Sequence, residues 1–334
     1  MNVFPDVLKF GALNDRGAEI RRGVSEAYEQ LATGRKSREN IIRDTNGRLG
    51  EAHLALRDLQ RIEQKQTSFS QGLGRASLIA NSLDLIVETV GALPEEIQAA
   101  NGRDDAEALR LRAVQAESNL ESVVSALNLQ QGRRFLFSGD AVTTAPLPSA
   151  EEILTAVETA IGAATTAADV ETALDAFFAD GGDFDTTLYQ GGAGTAAGVE
   201  IAEGDIVTVE IKANDAGIKD MIRGLALTAL LDDVALADAA EDDALVADAA
   251  AALVSGLDSS ATLVANAGLA ANRIELAQSQ IAAQQSVLSE AYNVYAGIDP
   301  YETATRAQEL EIQLQTVYNV TSRLAGLSFN NFLR

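Results

Sequence analysis

Residues 301–334 read YETATRAQEL EIQLQTVYNV TSRLAGLSFN NFLR, and apolar or small side chains recur at Ala307, Leu310, Leu314, Val317, Thr321 and Leu324. Steps of three and four alternate along that series, which is the seam of a helix that pairs with another helix. An isolated amphipathic helix is marginal in water, because nucleation is costly and packing supplies most of its stability. The rest of the chain must therefore provide a partner of the same period.

That partner stands near the other end, where Leu13, Gly17, Ile20, Val24, Ala27 and Leu31 repeat by fours and threes. Thr33-Gly34 then reads as a helix stop, and Arg35 to Asn46 as a connection with no apolar stripe before Ile41-Ile42. From Leu49 to Val90 the helical period returns through Leu56, Leu59, Ile62, Phe69, Ala76, Leu83 and Val87. A pattern of that length without internal caps suggests a coiled-coil or bundle helix. Gly91 to Asp105, with Pro94 and Gly102, reads as a break and reversal, followed by a helix through Leu109, Ala113, Ala116, Leu120, Val123 and Leu127. Arg133 to Asp140 is then a short apolar element closed by a glycine turn, and Pro146 and Pro148 mark a boundary.

Charge separates the middle of the chain from its flanks. Residues 140–262 hold 24 Asp or Glu against 3 Lys or Arg, whereas the flanks hold 25 acids and 22 bases, so nearly all of the net charge of -24 lies in the middle. Such a block is strongly solvated and repels phosphate, which argues against nucleic acid as a partner. Within it, Ser149–Ala164 and Ala168–Ala179 read as short helices, with Ser149 and Asp169 as starts. Val199–Ile201 and Ile206–Ile211 alternate in the strand period and are joined through Glu203-Gly204-Asp205, which predicts a hairpin. Ala216 opens another helix, and the Ala/Asp-rich run to Ala252 continues as helices with an acidic outer face. Leu263 to Tyr295 is a long helical stretch, interrupted at Gly297–Pro300, where Pro300 is placed to restart a helix.

Composition limits the function classes. Hydrophobic residues make up 47% of the 334 but aromatics only 5%, so Ala, Leu, Val and Ile must build the core, a choice that favours helices. The length prior is about two domains. No apolar run approaches the roughly 20 residues of a membrane span, and Met1 to Phe10 lacks the charged and apolar regions of a secretory signal. With no cysteine and His53 as the single histidine, thiolate sites are excluded and histidine-based triads or metal centres are hard to build. The acidic clusters Asp232-Asp233 and Glu241-Asp242-Asp243 lack the ligand spacing and central glycine of a calcium loop and read as a solvated acidic face. Gly191–Gly194 follows no buried strand and opens no helix, so it reads as a loop rather than a dinucleotide fingerprint. The expectation is no enzyme, no cofactor and no metal.

Three short segments, Leu31 to Lys36, Gly132 to Gly139 and Leu324 to Leu333, resemble motifs of the bacterial flagellin superfamily. Leu31-Ala32-Thr33-Gly34-Arg35-Lys36 is similar to the Leu-Ser-Thr-Gly-Lys/Arg segment after the family's first helix, and Leu324 to Leu333 is similar to its C-terminal ending. Gly132-Arg133-Arg134-Phe135-Leu136-Phe137-Ser138-Gly139 resembles the Gly-Arg-Tyr-Leu-Phe-Ser-Gly segment of the hook-filament junction branch. The chain departs from the family at Asn40–Asn46, which lacks an Asp-Asp-Pro or Asp-Asp-Ala element. It also has Asp299-Pro300-Tyr301-Glu302 where filament members have Asp-Ala-Asp, and this leans toward the junction branch.

The resemblance covers roughly residues 1–145 and 263–334. It implies a mainly α fold, a long coiled-coil-like bundle built from both termini, with a small acidic α+β insertion. The expected organisation is a terminal assembly domain (1–40 and 299–334), a helical core domain (41–145 and 263–298) and a variable insertion (146–262). The resemblance further implies a structural subunit joining hook to filament, exported by the flagellar type III apparatus without a cleaved signal and assembled outside the cell. Filament flagellin, or an adhesin carried by the insertion, are the other readings. The expected assembly interface is Leu13, Ile20, Val24, Leu31, Leu310, Leu314, Val317, Leu324 and Leu327. Expected partners are copies of the chain, the hook-side junction protein, flagellin and an export chaperone, with no nucleic acid and no membrane insertion. Narrow seams carrying Ala, Gly and Thr imply ends that gain order on assembly.

Overall fold

The structure, a computed structural model, describes residues 4–37, 40–41, 49–234 and 236–332, with side chains described throughout except at 4–10, 49, 52 and 324–332. The fold is mainly α, a helical bundle with a small α+β region. The chain divides into two compact units: Met1–Gln64 with Ile281–Arg334, and Lys65–Gln280.

The first unit contains α1 (Phe4–Thr33), the start of α2 (Leu49–Val90), the end of the long helix that precedes Gly297, and the C-terminal helix Pro300–Phe332. Helix α1 stops where the sequence predicts. Gly34 adopts φ +69° and donates its amide to the Gln30 carbonyl at 2.8 Å, a left-handed C-terminal turn that glycine enters without a Cβ penalty. The C-terminal helix starts as predicted too, with Pro300 in its first turn and the Asp299 carboxylate accepting from the Tyr301 and Glu302 amides at 2.8 and 3.2 Å.

In the second unit α2 continues to Val90 and is followed by α3 (Leu93–Asn101), α4 (Ala106–Leu127) and an antiparallel hairpin of β1 (Gln130–Gln131) and β2 (Arg134–Phe135). Next come α5 (Ala150–Ile161), α6 (Ala167–Phe178), a π-helical turn at Phe184–Leu188, a second hairpin of β3 (Val199–Ala202) and β4 (Asp205–Val207), and α7 (Ala216–Ala229). Helix α8 (Ala239–Ala296) then runs for 58 residues, and α9 (Pro300–Phe332) closes the chain. One continuous core joins α2, α4, α5, α6, α7 and α8 through Ile79, Leu83, Leu120, Ile153, Leu174, Leu225 and Leu253.

Several local expectations need correction. Gly91–Asp105 is not a plain break: Pro94 lies in the first turn of α3, where its missing amide costs no hydrogen bond, and Leu93, Ile97 and Ala100 are buried. Helix α6 is capped by Thr166 rather than Asp169. The Thr166 hydroxyl accepts from the Asp169 amide at 3.2 Å and donates to its carboxylate at 2.8 Å, a reciprocal cap. The second hairpin forms, but β4 ends at Val207, short of the predicted Ile211; beyond it the Ala213 amide donates to the Phe137 carbonyl at 2.9 Å. The Ala/Asp-rich run and the predicted Leu263–Tyr295 helix are one helix, since alanine continues a helix where composition changes.

The apolar content also exceeds expectation in two places. His53–Asn101 and Ala239–Ala296 reach, by length and composition alone, the apolarity of a membrane span, with mean hydropathy 1.4 and 1.3 in their most apolar windows. Both stretches place large side chains in the core, Ile79 and Leu83 from the first and Leu245 and Leu253 from the second.

Helices α7 and α8 approach each other closely enough to require glycine. A Cβ at Gly224 would lie 2.7 Å from Leu253 Cγ, and one at Gly256 would lie 2.6 Å from the Met221 amide nitrogen. Backbone therefore packs against backbone there.

Candidate assembly surface

Helices α1 and α9 pair antiparallel, and the seam residues whose side chains are described are buried or half-buried along the pair. On α1, Gly17, Ile20 and Ala27 are buried and Leu13, Val24 and Leu31 half-buried; on α9, Ala307 is 2% exposed and Leu310, Leu314, Val317 and Thr321 are half-buried. Gly17 lies against Val317, and Gly23 against Leu310, whose Cδ1 would be 3.2 Å from an added Cβ. Small residues on α1 thus receive branched residues of α9. Leu324 and Leu327 belong to helix α9, but their side chains lie outside the described residues.

The pair is fastened at two levels. The Tyr28 hydroxyl donates to the Glu311 carboxylate at 2.7 Å; this hydrogen bond first, and the charge of Glu311 second, hold the phenol above its ordinary pKa of 10.0. Lower down, Arg35 bridges to Gly297 in an antiparallel pairing, and the Lys36 amide donates to the Ala296 carbonyl at 2.7 Å. The Arg35 guanidinium sits 5.6 Å from the centre of the Tyr292 ring. Tyr292 and Ala296 pack with Leu59 in a small core that Ile41, Leu56 and Leu288 extend.

Sequence reasoning missed the polar hub beneath this pair. One Glu26 carboxylate oxygen accepts from Gln30 at 3.2 Å, from Asn40 at 3.0 Å and from Ser37, tying the segment after Gly34 back onto α1. The i, i+4 pair Glu26–Gln30 is visible in sequence, but it does not point to Asn40.

Opposite its seam, α9 presents a second stripe of mixed character. Tyr301 is 84% and Ile312 63% exposed, with Thr305, Gln308 and Thr316 exposed on the same face and Tyr318 and Val320 also exposed. Positions 301, 305, 308, 312 and 316 follow the helical period, so they form a stripe on the side away from α1. The Thr305 and Thr316 hydroxyls donate to the Tyr301 and Ile312 carbonyls at 2.9 and 2.8 Å, so their polar groups are already satisfied within the helix. Gln308 is left as the polar member of the stripe, with an amide that can both donate and accept. A helix with an apolar seam on one side and this partly apolar stripe on the other can engage two neighbours.

His53 is exposed on α2, and among the described residues no group of three or more His, Cys, Asp or Glu is placed to hold a metal. The most buried ionic group is Lys219, whose side chain is 4% exposed and lies 3.0 Å from Asp180 and 3.4 Å from Asp185. Burial alone would raise Asp185, but hydrogen bonds from the Gly181 amide and Asn214, with the bond and charge of Lys219, outweigh it and lower its pKa. Burial raises Asp215, and burial followed by the charges of Asp215, Asp140 and Asp185 pushes the Tyr189 phenol up to about 12. This cluster ties the π-helical turn to α7 and positions no nucleophile. Gly191–Gly194 is a loop, as predicted: the Gly194 amide donates to Asp140 at 3.1 Å, and Lys212 to the Ala193 carbonyl at 3.1 Å.

Comparison with curated proteins gives no match. The family model described as the bacterial flagellin C-terminal helical region matches residues 252–333, the later part of α8 and all of α9. The helix that carries the C-terminal seam therefore lies inside the match to the flagellin C-terminal helical region, which supports a likeness to the bacterial flagellin superfamily.

Proposed function

We propose that this chain is a structural subunit of the bacterial flagellum at the junction between hook and filament, polymerising through α1 and α9. The observation that carries the reading is the antiparallel pair of terminal helices, one of which lies in the match to the flagellin C-terminal helical region. Leu13, Ile20, Val24, Leu31, Leu310, Leu314 and Val317 set the register of the pair, and the outer stripe of α9 meets helices of adjacent copies. Leu324 and Leu327 extend the same interface. Flagellin, the hook-side junction protein and an export chaperone are the expected further partners, and the site of assembly is outside the cell. Terminal assembly (1–40 and 299–334), core (41–145 and 263–298) and acidic insertion (146–262) are the proposed functional divisions.

The junction role is favoured by the Gly132–Gly139 segment, which forms the turn of the first hairpin and the buried strip Leu136–Ser138. Deleting the gene tests it. Loss of a junction subunit leaves hooks in place while flagellin is shed into the medium. Hooks that retain their junction subunits and lack only the filament would instead establish the second reading, a filament flagellin. That reading is favoured by the match to the general flagellin C-terminal region. Subunit copy number separates the two as well, since a junction ring is small and a filament is long.

A further inference from the structure

Three donors converge without an acceptor where the first hairpin meets α2. Gly74 lets the hairpin approach, a Cβ there falling 3.1 Å from Gln131 Nε2, and Gln131 is paired with Arg134 across the hairpin. Arg75 follows Gly74 on the helix, and its Nε is buried with no hydrogen-bond partner. Burial first, and the charge of Arg134 second, pull the Arg75 guanidinium below its ordinary range. Arg133 is exposed at the turn beside them, and among the described residues no carboxylate pairs with Arg75, Arg133 or Arg134. In a chain with 49 acids against 25 bases, three unpaired arginines in one place call for an outside carboxylate.

The same unit carries the complement at its other end. Asp233, Asp242 and Asp243 are exposed and unpaired among the described residues; Asp233 follows Asp232, which binds Arg110 near the start of α4 at 3.2 Å, and Asp242 and Asp243 follow Glu241, whose carboxylate accepts from the Ala167 amide at 2.7 Å. The arginines lie beyond the end of α4, whose last residue is Leu127. Arg110 to Leu127 spans about 25 Å at the helical rise, so the acidic and basic groups occupy opposite ends of this unit.

We propose that the Arg75, Arg133 and Arg134 end of one copy docks on the Asp233, Asp242 and Asp243 end of the next, a head-to-tail contact in the polymer. Two different surfaces meet in such a contact, so it propagates an open fibre or a ring rather than closing as a two-fold dimer. Opposite charges set its direction and suppress tail-to-tail pairing. The inference rests on the self-assembly reading above and names the contact that orders it.

The test uses full-length chain and two variants confined to exposed side chains. One carries Arg133→Glu with Arg134→Glu, and the other Asp233→Lys, Asp242→Lys and Asp243→Lys. Polymer mass is followed by light scattering and sedimentation at low and high salt, with circular dichroism confirming the fold. Each variant alone should polymerise about tenfold less than the wild type at low salt. An equimolar mixture should recover most of the loss, because one variant is acidic at both ends and the other basic at both. Variants that polymerise like the wild type overturn the proposal. So does a mixture that stays unassembled, the pattern of a site for small anions such as inorganic phosphate. A wild-type chain that polymerises under no condition would overturn the self-assembly reading itself, and this contact with it.

Discussion

Tyr28 and Glu311, 283 residues apart in sequence, are joined by a hydrogen bond of 2.7 Å that fixes α1 against α9. The bond requires the neutral phenol, and the folded pKa is raised above 10.0. Its contribution is therefore complete below the unfolded pKa and is lost as pH rises through the folded one. Ultraviolet titration of the phenols should show Tyr28 ionising later than free tyrosine, alongside the buried Tyr189, and Glu311→Gln should bring back the Tyr28 component alone. A titration curve unchanged by Glu311→Gln would mean that the bond does not persist in solution.

The seam predicts a localised loss of structure. Leu310 and Leu314 are half-buried against α1, and replacing both with Asp puts two charges where apolar contact is needed. The cost is about 2–4 kcal/mol, enough to separate the two helices. Hydrogen exchange should lose protection over 11–33 and 300–323 while 65–280 keeps its own, and polymerisation should stop. Equal loss of protection in both units would show that they unfold together.

Glycine positions in α8 predict opposite signs in one helix. Gly256→Ala forces a Cβ to 2.6 Å from the Met221 amide and should destabilise by about 1–3 kcal/mol. At Gly268, where nothing lies within 4 Å of an added Cβ, the same substitution should stabilise by up to about 1 kcal/mol. Urea midpoints of the two variants read the difference directly. A Gly256→Ala protein as stable as the wild type would contradict the backbone-to-backbone packing of α7 and α8.

These cases separate what periodicity carries from what it does not. The three–four alternation of Leu13 to Leu31 and of Ala307 to Thr321 placed both seams, because a helix that buries a narrow face must repeat in that way. Gly34 and Pro300 were legible as a stop and a start, since their backbone chemistry acts locally. Tertiary choices were not. Nothing local distinguishes Pro94 as a helix starter from Pro94 as a breaker until Leu93 and Ile97 are seen to be buried. The Glu26 hub joins residues 14 apart through a turn, and the outer stripe of α9 is hidden because Thr305, Gln308 and Thr316 separate Tyr301 from Ile312 in any hydropathy reading.

Lys219 and Asp185 predict an acid-sensitive element outside the terminal pair. The Lys219 side chain is almost fully buried, and Asp185 accepts from it, from Asn214 and from the Gly181 amide, which together lower the carboxyl pKa below its ordinary 3.8. A depressed folded pKa contributes stability that is present above 3.8 and disappears as pH falls through the folded value. Asp185→Asn should therefore cost about 2–3 kcal/mol at neutral pH, less than the loss of a fully buried pair because Asp180 still holds Lys219. The cost should shrink as the pH is lowered past 3.8, because the wild-type group is then neutral too. Denaturant unfolding of both proteins across that range is the measurement, and a stability difference that stays constant with pH would show that the charge of Asp185 contributes nothing. Asp215 works in the other direction, since burial raises its pKa and its charge costs stability above that value. Asp215→Asn should consequently narrow the stability loss between acid and neutral pH that the wild type shows at this site.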